Sequence, residues 1–123
     1  MTKDEIPTIR IEVPAEFGTA YDGAEGRQWV ERRQRISGKL LKQMENLGEK
    51  VSDEKAFPLI CEELAKVILD WNLEGDKGAL PKPYKNKKAF EALFESDFSL
   101  LMWVAFLPFL SMARLLEQVQ EKN

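Results

Sequence analysis

The run from Val67 to Pro81, VILDWNLEGDKGALP, constrains this chain more than any other stretch. It reads as the end of an apolar helix that carries Trp71 to one end of a core. An acidic loop with two glycines comes next and closes on Leu80-Pro81. Glycine takes left-handed backbone positions at little cost, and Pro81 cannot continue a preceding helix, so a turn is fixed here. Both flanks are too apolar to stay in water alone, and the segment before the turn must fold back against the segment after it.

The 123 residues suit a single domain, large enough to bury a core without disulfides or a metal. We expect residues 1–26 to form an N-terminal β element and loop, and residues 27–123 a helical body. A net charge of -3 argues against a general polyanion binder. The charge is uneven: residues 51–80 hold seven acids and three bases, whereas residues 81–97 hold four lysines and three acids. Cys61, the single cysteine, excludes an internal disulfide, and its place in an apolar helical pattern favours a small buried residue over a nucleophile. Histidine is absent, which removes the usual general base near neutral pH, the commonest metal ligand, and every Ser-His or Cys-His pair. The start, MTKDE, lacks the basic and apolar regions of a signal peptide. The run Leu100 to Leu110 contains Pro108 and is far shorter than the ~20 residues that span a bilayer. A cytoplasmic protein is the expectation, and this run should be a buried helix.

Taken in order, Thr8 to Val13 alternates apolar and polar residues between Pro7 and Pro14, a strand signal. Residues 17–26 hold three glycines and form a turn or loop. The segment 27–36 fits either the second strand of a hairpin or the first turns of a helix, and periodicity does not separate the two. From Ser37, residues Ile36, Leu40, Met44 and Leu47 recur at helical spacing before Gly48. Ser52 or Asp53 can cap a second helix, whose stripe is Ile60, Leu64, Val67, Ile68 and Trp71. Asn86 can cap a short helix in which Phe90, Leu93 and Phe94 share a face. A final helix, capped by Ser96 or Asp97, should run from Phe98 past Pro108, kinked or divided there, to Gln120. The expected fold class is therefore mainly α within an α+β frame, a helical domain with a small N-terminal β-hairpin or strand.

Chemistry-bearing patterns are few. Asp70, Asn72, Glu74, Gly75 and Asp76 imitate the first half of a calcium-binding loop, but the frame's twelfth position, which needs a bidentate Glu, is Pro81. Adjacent acids such as Glu62-Glu63 and Asp53-Glu54 do not face each other on a helix. We find no catalytic set, cofactor motif or metal site, and expect no enzyme. Arg32, Arg33, Arg35, Lys39 and Lys42 make the one basic cluster. A solvated face is the plain reading, and a small nucleic-acid-binding regulator is the functional alternative. Aromatic residues crowd the last third, where they exceed the needs of a small core. That excess suits an oligomer interface or a groove for a partner helix, with Trp71, Phe98, Leu101, Trp103, Phe106 and Phe109 the candidate association residues.

The order of these features resembles the small tail assembly chaperones of long-tailed bacteriophages and prophages. The resemblance covers about residues 27 to 116 and rests on several elements in sequence. These are the Trp29 to Ile36 element with its arginines, the polar helix to Leu47, the helix ending in Ile68-Leu69-Asp70-Trp71, the Glu74 to Gly78 loop with Leu80-Pro81, the short helix around Phe90 to Phe94, and the apolar last helix. The lysine-rich Pro81 to Lys88 segment departs from the family's more acidic version. The resemblance implies a non-enzymatic protein that binds the long helical tape measure protein, keeps it soluble, and helps recruit tail tube subunits, acting as a homo-oligomer with neither nucleic acid nor membrane as partner. It also implies, in many members, a longer form made by translational frameshift, which an A-rich codon run at Glu121-Lys122-Asn123 would permit.

Overall fold

The computed structural model describes residues 5–50 and 54–110. The alternation after Pro7 becomes strand β1 (Thr8–Glu12), which turns Ile9 and Ile11 inward and leaves Arg10 and Glu12 exposed. Single turns of 3-10 helix at Ala15–Phe17 and Thr19–Tyr21 come next, and two short strands, β2 (Asp22–Gly23) and β3 (Gly26–Arg27), pair as a small hairpin. The ambiguous segment is a strand, β4 (Trp29–Arg33), paired antiparallel to β1 with Thr8 opposite Arg33 and Glu12 opposite Trp29. On the outer face Arg10 lies 3.6 Å over the Trp29 ring and donates to Glu31.

Helix α1 (Gly38–Gly48) begins where the Ser37 hydroxyl accepts from the Leu40 amide. Helix α2 (Ala56–Val67) starts at Ala56, and the expected caps Ser52 and Asp53 lie outside the described residues. Its end corrects the sequence reading. Ile68 to Trp71 is not the last helical turn but a strand, β5 (Ile68–Trp71), antiparallel to β4, with Val30 opposite Trp71 and Arg32 opposite Ile68. The reason is tertiary. Val67, Ile68 and Leu69 are all essentially inaccessible, and a helix offers its buried stripe to only part of such a continuous run. The open edge of β4 accepts it instead, and the side chain of Asn72 extends the pairing by accepting from the Trp29 amide at 2.6 Å. The sheet order is therefore β1-β4-β5, three strands drawn from both halves of the described chain, where a hairpin or single strand at the N-terminus was expected.

The turn required between Trp71 and Pro81 is a tight hairpin of β6 (Glu74–Gly75) and β7 (Gly78–Ala79), with Asp76 and Lys77 at its tip. Gly78 sits at φ +104°, a conformation that residues with a Cβ rarely adopt. Trp71 is fully buried where strand and hairpin meet. Its indole N–H donates to the Pro81 carbonyl at 2.9 Å, and Phe90 packs edge-on at 5.1 Å. Gln28, also buried, links sheet to hairpin by accepting from the Glu74 amide.

Helix α3 (Lys87–Ser96) comes after the hairpin, with Phe90 and Leu93 in the core and Phe94 at the surface. The Asn86 side chain does not cap it but donates to the Lys82 carbonyl. Asp97 does cap helix α4 (Phe98–Phe106), accepting from the Leu100 amide and from the Tyr21 hydroxyl. The regular helix does not run past Pro108: it stops at Phe106, Leu107–Phe109 form a 3-10 turn, and Leu110 is extended. The expected continuation to Gln120 lies outside the described residues. The fold is α+β, with the inner face of the sheet and helices α2 to α4 closing one hydrophobic core. Among the described residues no helix is long and apolar enough to cross a membrane.

Candidate functional site

Helix α1 packs on α2, α2 on α3, and α3 on α4, and side chains of all four helices converge on one recess. Between them runs an open groove of about 1050 Å³. Its floor is apolar and largely inaccessible, built from Cys61 and Leu64 of α2 and Leu101 of α4. Met44 of α1 bounds one side, and Phe98, Met102, Phe106 and Phe109 bound the other. Phe57, Phe94 and Phe98 form an aromatic row across α2, α3 and α4, with centroid separations of 4.6 and 5.6 Å.

The α4 wall is unusual for a small fold. Phe98 is 54% exposed and Phe106 59%, and Phe94, Met102 and Phe109 are exposed beside them. Isolated apolar side chains on a surface need no explanation, whereas a contiguous row of large ones is a candidate interaction surface. Each side chain is there for a local reason. Phe98, Met102 and Phe106 recur every four residues on the side of α4 away from its core residues Leu100 and Val104. The 3-10 turn imposed by Pro108 then brings Phe109 into the same lining.

The six association residues expected from sequence separate into three groups. Phe98, Phe106 and Phe109 line the groove. Leu101 lies in its floor, 5% exposed. Trp71 is fully buried in the core, and Trp103 is part-buried with Phe17 of the N-terminal loop edge-on at 6.2 Å, so neither stands on the groove. Sequence reasoning missed Met102, whose spacing from Phe98 and Phe106 was a usable signal, and the opposite wall of Met44, Phe57 and Ile60, which only the tertiary arrangement brings there.

The groove has little chemistry beyond apolar contact. Burial pushes the Cys61 thiol up to about 12, with Glu91 adding to the rise and Lys87 opposing it, so it sits in the floor as a small neutral group. Among the described residues the only charged ones in the lining are Glu45 and Glu54, both exposed. A small-molecule site of this size brings several polar groups to converge on its ligand, whereas a helix-binding groove needs only an apolar trough between helical walls. Among the described residues no cluster of three or more Cys, Asp or Glu side chains is placed to hold a metal ion.

The basic cluster does not survive folding as one surface. Arg32 faces the core and is 3% exposed, donating to the carbonyls of Arg33 and Leu110, with its Nε unpartnered among the described residues. Arg33 donates to the Lys66 carbonyl at 2.6 Å. Arg35, Lys39 and Lys42 remain exposed, the two lysines on α1. No family model, curated protein or solved structure matches the chain.

Proposed function

We propose that this chain is a phage tail assembly chaperone, and that the groove between α1 and α4 receives amphipathic helices of the tape measure protein and keeps that protein soluble until the tail is built. The observation that carries the reading is the exposed row Phe98, Met102, Phe106 and Phe109 along an apolar trough walled by helices. A long helical protein exposes repeated apolar stripes that aggregate in water. A trough of this kind covers one such stripe, while the charged outer faces of α1 and α2 keep the complex in solution. Moderate affinity per site suffices, because several copies along one partner add avidity and still permit release when tail tube subunits arrive. Self-association of the chain through the same apolar wall belongs to this reading. The nucleic-acid alternative keeps fewer free cations, since Arg32 is buried and Arg33 donates to the Lys66 carbonyl, leaving Arg35, Lys39 and Lys42 exposed.

Co-expression with any long helix-rich protein of its native gene neighbourhood tests the proposal. The expected result is that this protein is insoluble alone, soluble with the parent chain, and insoluble again with a Phe106→Ser, Phe109→Ser variant that remains folded. Solubility unaffected by the chain, or recovery instead of nucleic acid that washes off with salt, would overturn it.

A further inference from the structure

The two walls of the groove differ in charge. Glu45 stands on α1 and Glu54 in the turn before α2, neither paired with a cation among the described residues. Among the described residues the α4 wall has no charge, for no Asp, Glu, Lys or Arg occurs between Phe98 and Leu110. Among the described residues, an occupant that fills the trough with an apolar stripe therefore meets carboxylates contributed by α1 and the turn before α2, and none from α4.

From this asymmetry we infer that the occupant is an amphipathic helix whose apolar stripe is bordered on one flank by lysine or arginine. This rests on the groove reading above and specifies the partner within it. The apolar stripe supplies affinity, and the cationic flank supplies selectivity among stripes of similar hydrophobicity. A helix with acids along that flank would set like charges against Glu45 and Glu54. A second cationic row on the opposite flank would face only Phe98, Met102, Phe106 and Phe109, and would gain nothing specific there.

Four labelled synthetic peptides of about 18 residues, about 27 Å long as helices, test this by fluorescence anisotropy. They share one leucine stripe and carry, along one flank, lysine, glutamine or glutamate, with a fourth carrying lysine along both flanks. We expect the one-flank lysine peptide to bind roughly three- to tenfold tighter than the glutamine peptide at low salt, and the glutamate peptide to bind weakest. The order should collapse as salt is raised, and it should vanish in a Glu45→Gln, Glu54→Gln variant, whose exposed substitutions leave the fold intact by circular dichroism. The two-flank peptide should gain less than roughly twofold over the one-flank peptide.

Equal binding of the first three peptides overturns the charge assignment and leaves the groove reading standing, provided Phe106→Ser still abolishes binding. A preference for lysine that persists in the glutamine variant also overturns it, since the carboxylates named would not be its source. Failure of every peptide to bind overturns the groove reading itself. If sedimentation then shows that Phe106→Ser abolishes self-association, the trough belongs to a second copy of this chain.

Discussion

Arg32 is where sequence and structure differ most sharply in the meaning of one side chain. It belongs to the richest basic run of the chain, yet it occupies a core-facing position on β4 with backbone carbonyls as its partners. Burial pulls the pKa of its guanidinium below its ordinary value, because desolvation penalises the charged form. A planar fork reaches the carbonyls of Arg33 and Leu110 at once, whereas an ammonium is a compact point charge. Arg32→Lys should therefore lose about 1–3 kcal/mol of stability in urea unfolding, while Arg32→Met stays within about 1 kcal/mol of the parent. A residue serving to grip phosphates would show the reverse preference, with lysine the better substitute. Two further residues set the alkaline limit. The Cys61 thiol is pushed up to about 12, chiefly by burial, and the Tyr21 phenol to about 12, chiefly by its bond to Asp97. Both values lie above those of the unfolded chain, so both groups add stability below pH ~8 that is lost as pH rises from about 9 towards 12. Unfolding midpoints should be flat to about pH 8 and fall beyond it. The Cys61→Ala variant, weaker at neutral pH, should lose less over the same interval.

Among the elements, β1 was legible because Ile9 and Ile11 alternate with Arg10 and Glu12 between two prolines, and α1 because Ser37 and Gly48 bracket one stripe. The segment 27–36 was not legible as a strand for a physical reason: its inward positions are Val30 and Arg32, and a buried arginine erases the period-two signal. The end of α2 was misread because Ile60, Leu64, Val67, Ile68 and Trp71 satisfy a helical period, and only the edge of β4, distant in sequence, decides for a strand. The turn between Trp71 and Pro81 was legible in place but not in form. Its tightness has two determinants. Gly78 holds φ +104°, and a Cβ on Gly75 would come within 2.7 Å of the Ser96 hydroxyl and 2.8 Å of a Leu80 methyl. Gly78→Ala should cost about 1–3 kcal/mol through backbone strain, and Gly75→Ala a similar amount through overpacking against α3. Thermal melts that place either variant level with the parent would remove the hairpin from the elements that fix Trp71 in the core.

At the scale of the whole molecule, the described residues cover one face of α4 and leave the other exposed. The residues that make α4 apolar all round are divided between two tasks, Leu100 and Val104 closing the core, Phe98, Met102 and Phe106 lining the trough. This division is why the site was only half legible: the stripe on α4 follows from spacing, but its separation from core residues of equal hydrophobicity follows only from where the sheet and α3 lie. It also yields the sharpest prediction about the molecule. Substituting a core aromatic and substituting a groove aromatic should have opposite consequences. Trp71→Ala removes a fully buried ring and its bond to Pro81, and should cost about 3–5 kcal/mol. The double variant Phe98→Ser, Phe106→Ser removes two rings that are already more than half in water, and should leave the urea midpoint nearly unchanged, within about 1 kcal/mol. The same variant should lose the fluorescence of a groove-bound apolar dye, self-association at high concentration, and affinity for an amphipathic peptide. Loss of folding in the double variant would instead make α4 apolar for the sake of the core alone, and the trough would have no claim on a partner.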